Sequence, residues 1–505
     1  MKPERLSLFG LLVLLLVSCG EKDRQPETEP AVRAEVQEVT AFDITFQVQA
    51  VQCEKVLYGL QEPLSLSWET GAIGPVSGTL KVSGLSPLTD YTLLVQGIGP
   101  QGEEGNVVRL PFSTSKGPDD LYPWEQARNG IPSFADLTLV TLGWHNYNPP
   151  KWTRERFASH VSYDGHWLFD AFLCIDGWAP SRNLSFSLTD SRYSAVKDSW
   201  QDLLDAWLGT DGALIQLDAA VADAATRLGN PPAPRYVVMS LPDPIRYQYF
   251  HDKNSSTTYW GEVNGKQLDF SKTADQMTAY RWYMDQCRKL FRERRFRHLE
   301  LAGFYILSEE LPLDPAFFRA AGQSFSSADT WNWEHKNWEI LVPQAVNYAH
   351  SCKEGMWWIP YHLAPGYKAW KSLGFDAIFM QPNYYWDHDS VSHPLSRTQT
   401  AIKQYRLGME LEFEYSLVAS VMADGRSGPD GSGSPTFYAA DVPLLRSRVR
   451  EYMQMYRDSG MYGQQPLAVY SGTDAWHQLA SSTDEGDRAM LRDLCNFILD
   501  SPLKK

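Results

Sequence analysis

At 505 residues, with 43% hydrophobic and 21% charged residues, the chain is too long for one ordinary domain and has a globular composition. Its formal net charge of −15 argues against nucleic acid as a partner, because binding a polyanion needs a basic surface. The unusual feature is aromatic content, 18 Trp, 25 Tyr and 22 Phe, which a large core uses and which also suits sites that stack on sugar rings.

Residues 1–19 read as a leader. Lys2 and Arg5 precede an apolar run, Leu6 to Val17, which is too short to span a membrane and has signal-peptide proportions. The run closes on Leu16-Val17-Ser18-Cys19, which resembles the bacterial lipobox. That resemblance implies acylation of Cys19, by palmitate or a similar chain, and a membrane partner through the lipid. Gly20 stands where an inner-membrane retention signal has Asp, so attachment to the outer membrane is expected. Gly20-Glu21-Lys22-Asp23 loosely resembles the acidic surface-export tags of some gut-dwelling Gram-negative bacteria. Residues 20–32 are polar, contain Pro26 and Pro30, and read as a tether.

Residues 33–116 change to short strands separated by turn signals. Alternation runs through Ile44–Val51, Leu64–Trp68 and Gly78–Val82, followed by Leu85–Leu93 and Leu110–Thr114. Leu85-Ser86-Pro87-Leu88-Thr89-Asp90-Tyr91 resembles the tyrosine-corner region of fibronectin type III domains, which implies a small all-β sandwich acting as a spacer. Residues 117–135, with Gly117, Pro118, Pro123, Gly130 and Pro132, form the linker.

From 136 to 505, strand-like and helix-like segments alternate. The strand expectations are Leu137–Gly143, Trp167–Ile175, Tyr236–Leu241, Leu299–Leu307, Met356–Tyr361, Ala377–Gln381, Glu410–Ser416 and Leu467–Gly472. Amphipathic helical patterns lie between them, the clearest being Thr273–Phe296 and Thr330–Lys353. Eight strands close a barrel, and no glycine-rich phosphate loop opens any helix. The expected fold class is therefore α/β, a (β/α)8 TIM barrel behind a small β-sandwich.

Chemistry in such a barrel sits at the C-terminal ends of the strands. The fourth strand ends in Glu309-Glu310. The seventh presents Glu410, Glu412 and Glu414 on one face, an arrangement that is costly inside a barrel unless it serves a purpose. Glu309 and Glu412 are the preferred catalytic pair, with Glu310 and Glu414 as the other candidates. Glu309 is in phase with Tyr305 and Leu307, and Glu412 lies between its neighbours in depth. The remaining strand ends offer substrate-binding candidates: Trp144 and His145, Asp170 and Asp176, Tyr361, then Gln381 with Asn383, Tyr384 and Trp386. Strand eight adds Asp474 and Trp476.

Carboxylates at the ends of strands four and seven resemble the large retaining glycosidase clan built on this barrel. The resemblance implies acid/base catalysis by the strand-four Glu and a nucleophilic strand-seven Glu. The chain departs from the clan in having Ser308, rather than Asn, before Glu309. Gly303-Phe304-Tyr305, Gln381-Pro382-Asn383-Tyr384 and Glu410-Leu411-Glu412-Phe413 resemble the domain-of-unknown-function 4855 family of secreted and lipid-anchored bacterial proteins, which implies the same barrel.

Other chemistries find little support. The cysteines lack Cys-x-x-Cys spacing, and Cys174, Cys287, Cys352 and Cys495 read as buried free thiols. There is no His-Glu-x-x-His and no Gly-x-Ser-x-Gly, so neither a metal nor a cofactor is expected. The reading is an envelope-anchored, retaining glycoside hydrolase acting on an oligo- or polysaccharide. Against it stand a non-catalytic glycan-binding or scaffold protein, which has no need of paired carboxylates, and another carbohydrate-active enzyme such as a lyase or deacetylase.

Overall fold

The computed structural model describes residues 29–40, 43–60, 62–71, 74–83, 85, 90–114, 131–144, 151–180, 184–187, 193–250, 252–330, 337–386, 393–423 and 436–504. The expected leader with Cys19, most of the tether and linker, and His145 lie outside the described residues, as do Pro87 and Thr89 of the tyrosine-corner run. The chain divides into two compact units.

The N-terminal unit is a β-sandwich of seven strands: β1 (Ala31–Val39), β2 (Asp43–Val51), β3 (Lys55–Gly59), β4 (Leu66–Glu69), β5 (Val76–Ser83), β6 (Asp90–Ile98) and β7 (Glu104–Ser113). One sheet has the order β1-β2-β5 and the other β4-β3-β6-β7, a fibronectin type III-like arrangement. Strict alternation on β2 buries Ile44, Phe46, Val48 and Ala50. Phe46 meets Tyr58 of the other sheet edge-on at 5.5 Å between ring centroids.

The second unit is a closed parallel barrel of eight strands: β8 (Asp136–Thr141), β9 (Ala171–Ile175), β10 (Arg235–Leu241), β11 (Leu299–Ile306), β12 (Gly355–Trp358), β13 (Ala377–Met380), β14 (Gly408–Glu412) and β15 (Leu467–Tyr470). β8 pairs with both β9 and β15, which closes the ring. The strands are apolar almost end to end because both of their faces are covered.

The main helices around the barrel are α1 (Arg154–Val161), α2 (Lys197–Leu208), α3 (Ala213–Leu228), α4 (Thr273–Arg294), α5 (Trp338–Ser351), α6 (Leu395–Tyr405), α7 (Val442–Asp458), α8 (Ala475–Ser481) and α9 (Glu485–Leu499). α2 shows why such segments dock. Trp200, Leu203, Leu204, Trp207 and Leu208 recur at helical spacing and are fully buried, each contributing roughly 1.5–3 kcal/mol of transfer free energy. Cys174, Cys287 and Cys495 are buried free thiols, whereas Cys352 is exposed, because it is the residue that ends α5.

One irregularity shapes the interior of the barrel. Between Val237 and Val238 the β10–β11 register slips, so that Val237 faces Leu301 but Val238 faces Gly303. The bulge requires glycine: Gly303 has φ +151°, and a Cβ there would overlap the Gly355 carbonyl. Past the bulge, burial and then the charges of Glu309, Glu410 and Asp243 hold the Tyr305 hydroxyl well above the tyrosine range.

Candidate active site

β14 carries Glu410 and Glu412 on one face, since alternate residues of a strand point the same way, and each is 2% exposed. Glu412 Oε1 accepts the Tyr452 hydroxyl at 3.0 Å and the backbone N–H of Asn383. Tyr452 belongs to α7. Its oxygen accepts the Tyr385 N–H at 2.5 Å, which leaves its own proton directed at the carboxylate. Burial pushes Glu412 up to about 8; the Tyr452 and Asn383 donors pull against that rise, and the charge of Glu309 adds to it. Glu410, one pleat deeper, is held well above the carboxylate range by burial, then by Glu412 and Glu309.

Glu414 lies just beyond the strand and accepts the Tyr470 hydroxyl at 2.9 Å. Burial raises it to about 7 against the pull of that hydroxyl and of the Tyr415 N–H. Its place depends on Gly472, with φ +56°, where a Cβ would overlap the Glu414 carboxylate.

From β11, the chain turns through Ser308, whose carbonyl accepts the Trp358 indole N–H at 2.7 Å. The half-buried Glu309 follows. Its Oε1 accepts Gln381 Nε2 at 3.1 Å, and its carbonyl accepts the Tyr361 N–H at 3.1 Å. Asn383 links the two sides, because its side chain donates to the Tyr361 hydroxyl at 2.9 Å while its backbone donates to Glu412. The Tyr361 hydroxyl is raised by burial and then by Glu412, Glu309 and Glu310 in turn. Tyr361 therefore sits among the carboxylates of both strands, and Glu309, Glu310, Tyr361, Gln381, Asn383, Glu410 and Glu412 form one electrostatic neighbourhood.

Other expected site residues fall in different surroundings. Trp144 and Trp386 are half-buried; Trp386 lies 5.2 Å from Tyr385 and 6.3 Å from Tyr470 between ring centroids. Asp176 is buried and accepts Thr141 Oγ1 and the Gly143 N–H, both at 3.0 Å. It thus ties together the loops after β8 and β9, and burial holds it at about 6 against those bonds. Tyr384 is tied to α7, with its hydroxyl donating to Glu451 and its ring 5.8 Å from Tyr452. Asp474 pairs with Arg156 of α1 at 2.9 Å.

Two expectations require correction. Trp476 is no platform for a ligand, because α8 begins at Ala475 and turns the indole into the helix layer. There it is fully buried, donates to the Ser159 carbonyl at 2.9 Å and packs 5.0 Å from Phe169. Asp170 is at the wrong end of the barrel. β9 starts only at Ala171, so Asp170 lies at the N-terminal rim, accepting the Ala135 N–H at 3.0 Å and pairing with Arg235 at 3.3 Å and Lys504 at 3.1 Å.

Tyr452 and Tyr470, which hold the strand-seven carboxylates, were not singled out from sequence. Tyr470 could have been, since the parallel register sets it opposite Glu412 on the neighbouring strand. Tyr452 lies mid-helix, 40 residues from its partner, and carries no local signal.

The chain is similar to several solved structures. A glycoside hydrolase family 5 xyloglucanase from Bacteroides ovatus, in complex with a XXXG heptasaccharide, is 11% identical with a TM-score of 0.40, over 92% of this chain and 100% of that one. A family 20 exo-β-N-acetylglucosaminidase from Vibrio harveyi is 8% identical with a TM-score of 0.34, over 94% and 98% of the two chains. No curated protein matches the chain. The model of the family described as domain of unknown function DUF4855 matches residues 136–426, more than half of the 505 residues, and the chain belongs to that family.

Proposed function

We propose that the protein is a glycoside hydrolase that uses Glu309 as acid/base and Glu412 as nucleophile. The observation that carries this reading is the coupling of a strand-four and a strand-seven carboxylate at one barrel mouth, joined through Gln381, Asn383 and Tyr361. The division of labour follows from their surroundings. An acid that later acts as base must exchange its proton with water, and Glu309 is the half-exposed member. A nucleophile must be held still, and Glu412 is buried with two donors fixed on one oxygen.

In the first step Glu309 gives its proton to the glycosidic oxygen as Glu412 bonds to the anomeric carbon and the leaving alcohol departs. In the second, Glu309 takes a proton from water, whose oxygen displaces Glu412 and releases the sugar. In the empty site burial favours a proton on Glu412. Positive charge developing at the anomeric carbon, together with the Tyr452 and Asn383 donors, favours its ionised form at the moment of attack. Glu410 stays neutral beneath, so the site does not hold three like charges at once.

The test is incubation of the full chain with a panel of oligo- and polysaccharides, with detection of new reducing ends and of the anomer first formed. A first-formed product of retained configuration supports the assignment. No product from any member of a broad panel, with the protein shown to be folded, would overturn it. The lipobox-like leader supports attachment of the enzyme to the envelope through Cys19, with the outer membrane favoured by Gly20. Cys19→Ser should release or mislocalise the protein, and a mature chain without an acyl mass on its first residue would refute the anchor.

A further inference from the structure

At the N-terminal rim of the barrel, the end opposite Glu309 and Glu412, the surface opens into a cavity of about 580 Å³. That volume falls in the range of small-ligand sites. One wall is the hairpin that pairs Ser162-Tyr163 with His166-Trp167. Asp164 (φ +43°) and Gly165 (φ +79°) form its tip in the left-handed conformation that fixes a tight two-residue turn, so the aromatic side chains are presented on a rigid element. Tyr236, at the start of β10, adds a third aromatic side chain.

The polar groups of the cavity fall into two sets. Deep in it, Lys504 and Arg235 pair with Asp136 and Asp170, at 2.8 Å for Lys504–Asp136 and 3.3 Å for Arg235–Asp170. These charges satisfy one another. Arg235 is 1% exposed, and its guanidinium lies 5.4 Å over the Trp167 ring. Around the opening, Asp164, Asn496 and Asp500 are exposed.

The structure assigns this cavity as a second carbohydrate site, for a neutral pyranose unit of a glycan. Flat apolar faces on Tyr163, Trp167 and Tyr236 match the axial C–H face of a pyranose ring. Carboxylate and amide oxygens at the opening accept hydroxyl protons. An anionic ligand is disfavoured, because both cations are already paired and the remaining rim charges are negative. A purely structural role accounts for the ion pairs but leaves the open volume and its aromatic walls unexplained. Binding at this far end of the barrel does not depend on whether the mouth hydrolyses anything.

The test is native affinity electrophoresis of the full chain in gels containing a β-glucan, an α-glucan, a mannan or a xylan. Tyr163→Ala, Trp167→Ala, Trp167→Phe and Glu309→Gln are run beside wild type, with circular dichroism as the folding control. Wild type should be retarded in at least one gel. The two alanine variants should lose at least tenfold in apparent affinity, Trp167→Phe should keep most of it, and Glu309→Gln should be retarded like wild type. If Trp167→Ala fails to fold, Tyr163→Ala and Trp167→Phe decide. Absence of retardation in all four gels, unchanged retardation in the folded rim variants, or loss of retardation with Glu309→Gln alone would overturn the assignment.

Discussion

The two ends of the barrel both bury acids, but they neutralise them differently. At the N-terminal rim Asp136 and Asp170 face Lys504 and Arg235, two carboxylates against two cations. Burial pulls Lys504 down, but the attraction of the two aspartates outweighs it and keeps the ammonium above its ordinary range. At the mouth, Glu412 and Glu414 meet tyrosine hydroxyls and backbone amides, and Glu410 is held neutral by its surroundings. Burial raises Asp136 as well, to about 7, but there the charge of Lys504 pulls against the rise. An acid given only neutral donors is poised to gain or lose a proton, and the cost is accepted in stability. What distinguishes the mouth from the rim is that burial raises the acids at both ends but only the rim sets cationic side chains beside them.

The largest effects should come from removing the acids at each end. Glu309→Gln and Glu412→Gln should each lower turnover by about 10²–10⁴-fold, the usual worth of acid–base help, while Gln preserves shape and folding. Full activity in either variant would erase the distinction between mouth and rim. Asp170→Ala should do the reverse. It strands the buried Arg235 guanidinium and should destabilise the barrel by roughly 3–5 kcal/mol in denaturant unfolding, with kcat on a small soluble substrate changed less than twofold. A rim variant that unfolds normally yet loses turnover would show that the two ends are not independent.

Much of the mouth could be read from sequence because a parallel barrel writes its strands plainly. Each of the eight is a short apolar run followed by polar residues, and strand alternation alone places Glu410 and Glu412 on one face. The errors arose at the edges of those runs. Trp167, Leu168 and Phe169 extend the apolar pattern of β9 backwards, but Trp167 belongs to the hairpin and the strand starts after Asp170; the expected strand member is a rim residue. Trp476 follows a strand end closely, yet the helix begins one residue before it and reverses its direction. Tyr452 was illegible for another reason. A tyrosine on the apolar face of a helix looks the same whether it packs or also donates a bond, and only the tertiary fold brings it to Glu412.

The unlike treatment of acids at the two ends also sets how stability responds to pH. Glu410 has a folded pKa raised above its ordinary 4.5, so the native state holds a proton that the unfolded chain releases. Its contribution is fully present below about pH 4.5 and is lost as pH rises toward the folded value, by at most about 1.4 kcal/mol per pH unit. Glu410→Gln cannot ionise in either state. The variant should therefore match wild type near pH 4 and exceed it near pH 8 in urea unfolding of the barrel. A wild-type barrel that gains stability from pH 5 to 8, or a Gln variant with the same slope, would show that the deep carboxylate is ionised and paired after all, like those at the rim.

The smallest effect tests the roles within the mouth. The Tyr452 hydroxyl stabilises ionised Glu412, so Tyr452→Phe should raise the Glu412 pKa from its value of about 8 while keeping the ring and its packing. Burial holds a proton on Glu412, and its release sets the alkaline limb of the kcat/KM profile. The proposed mechanism requires a proton on Glu309 and an ionised Glu412. Losing the hydroxyl should move the alkaline limb upward by about one unit and lower the plateau by about tenfold, because one pKa unit is a factor of ten in the population of the reactive form. A limb that rises with no loss of plateau would mean that protonated Glu412 is the working acid and would exchange its role with Glu309. A limb that stays in place would detach Tyr452 from the chemistry and leave it as a packing residue of α7.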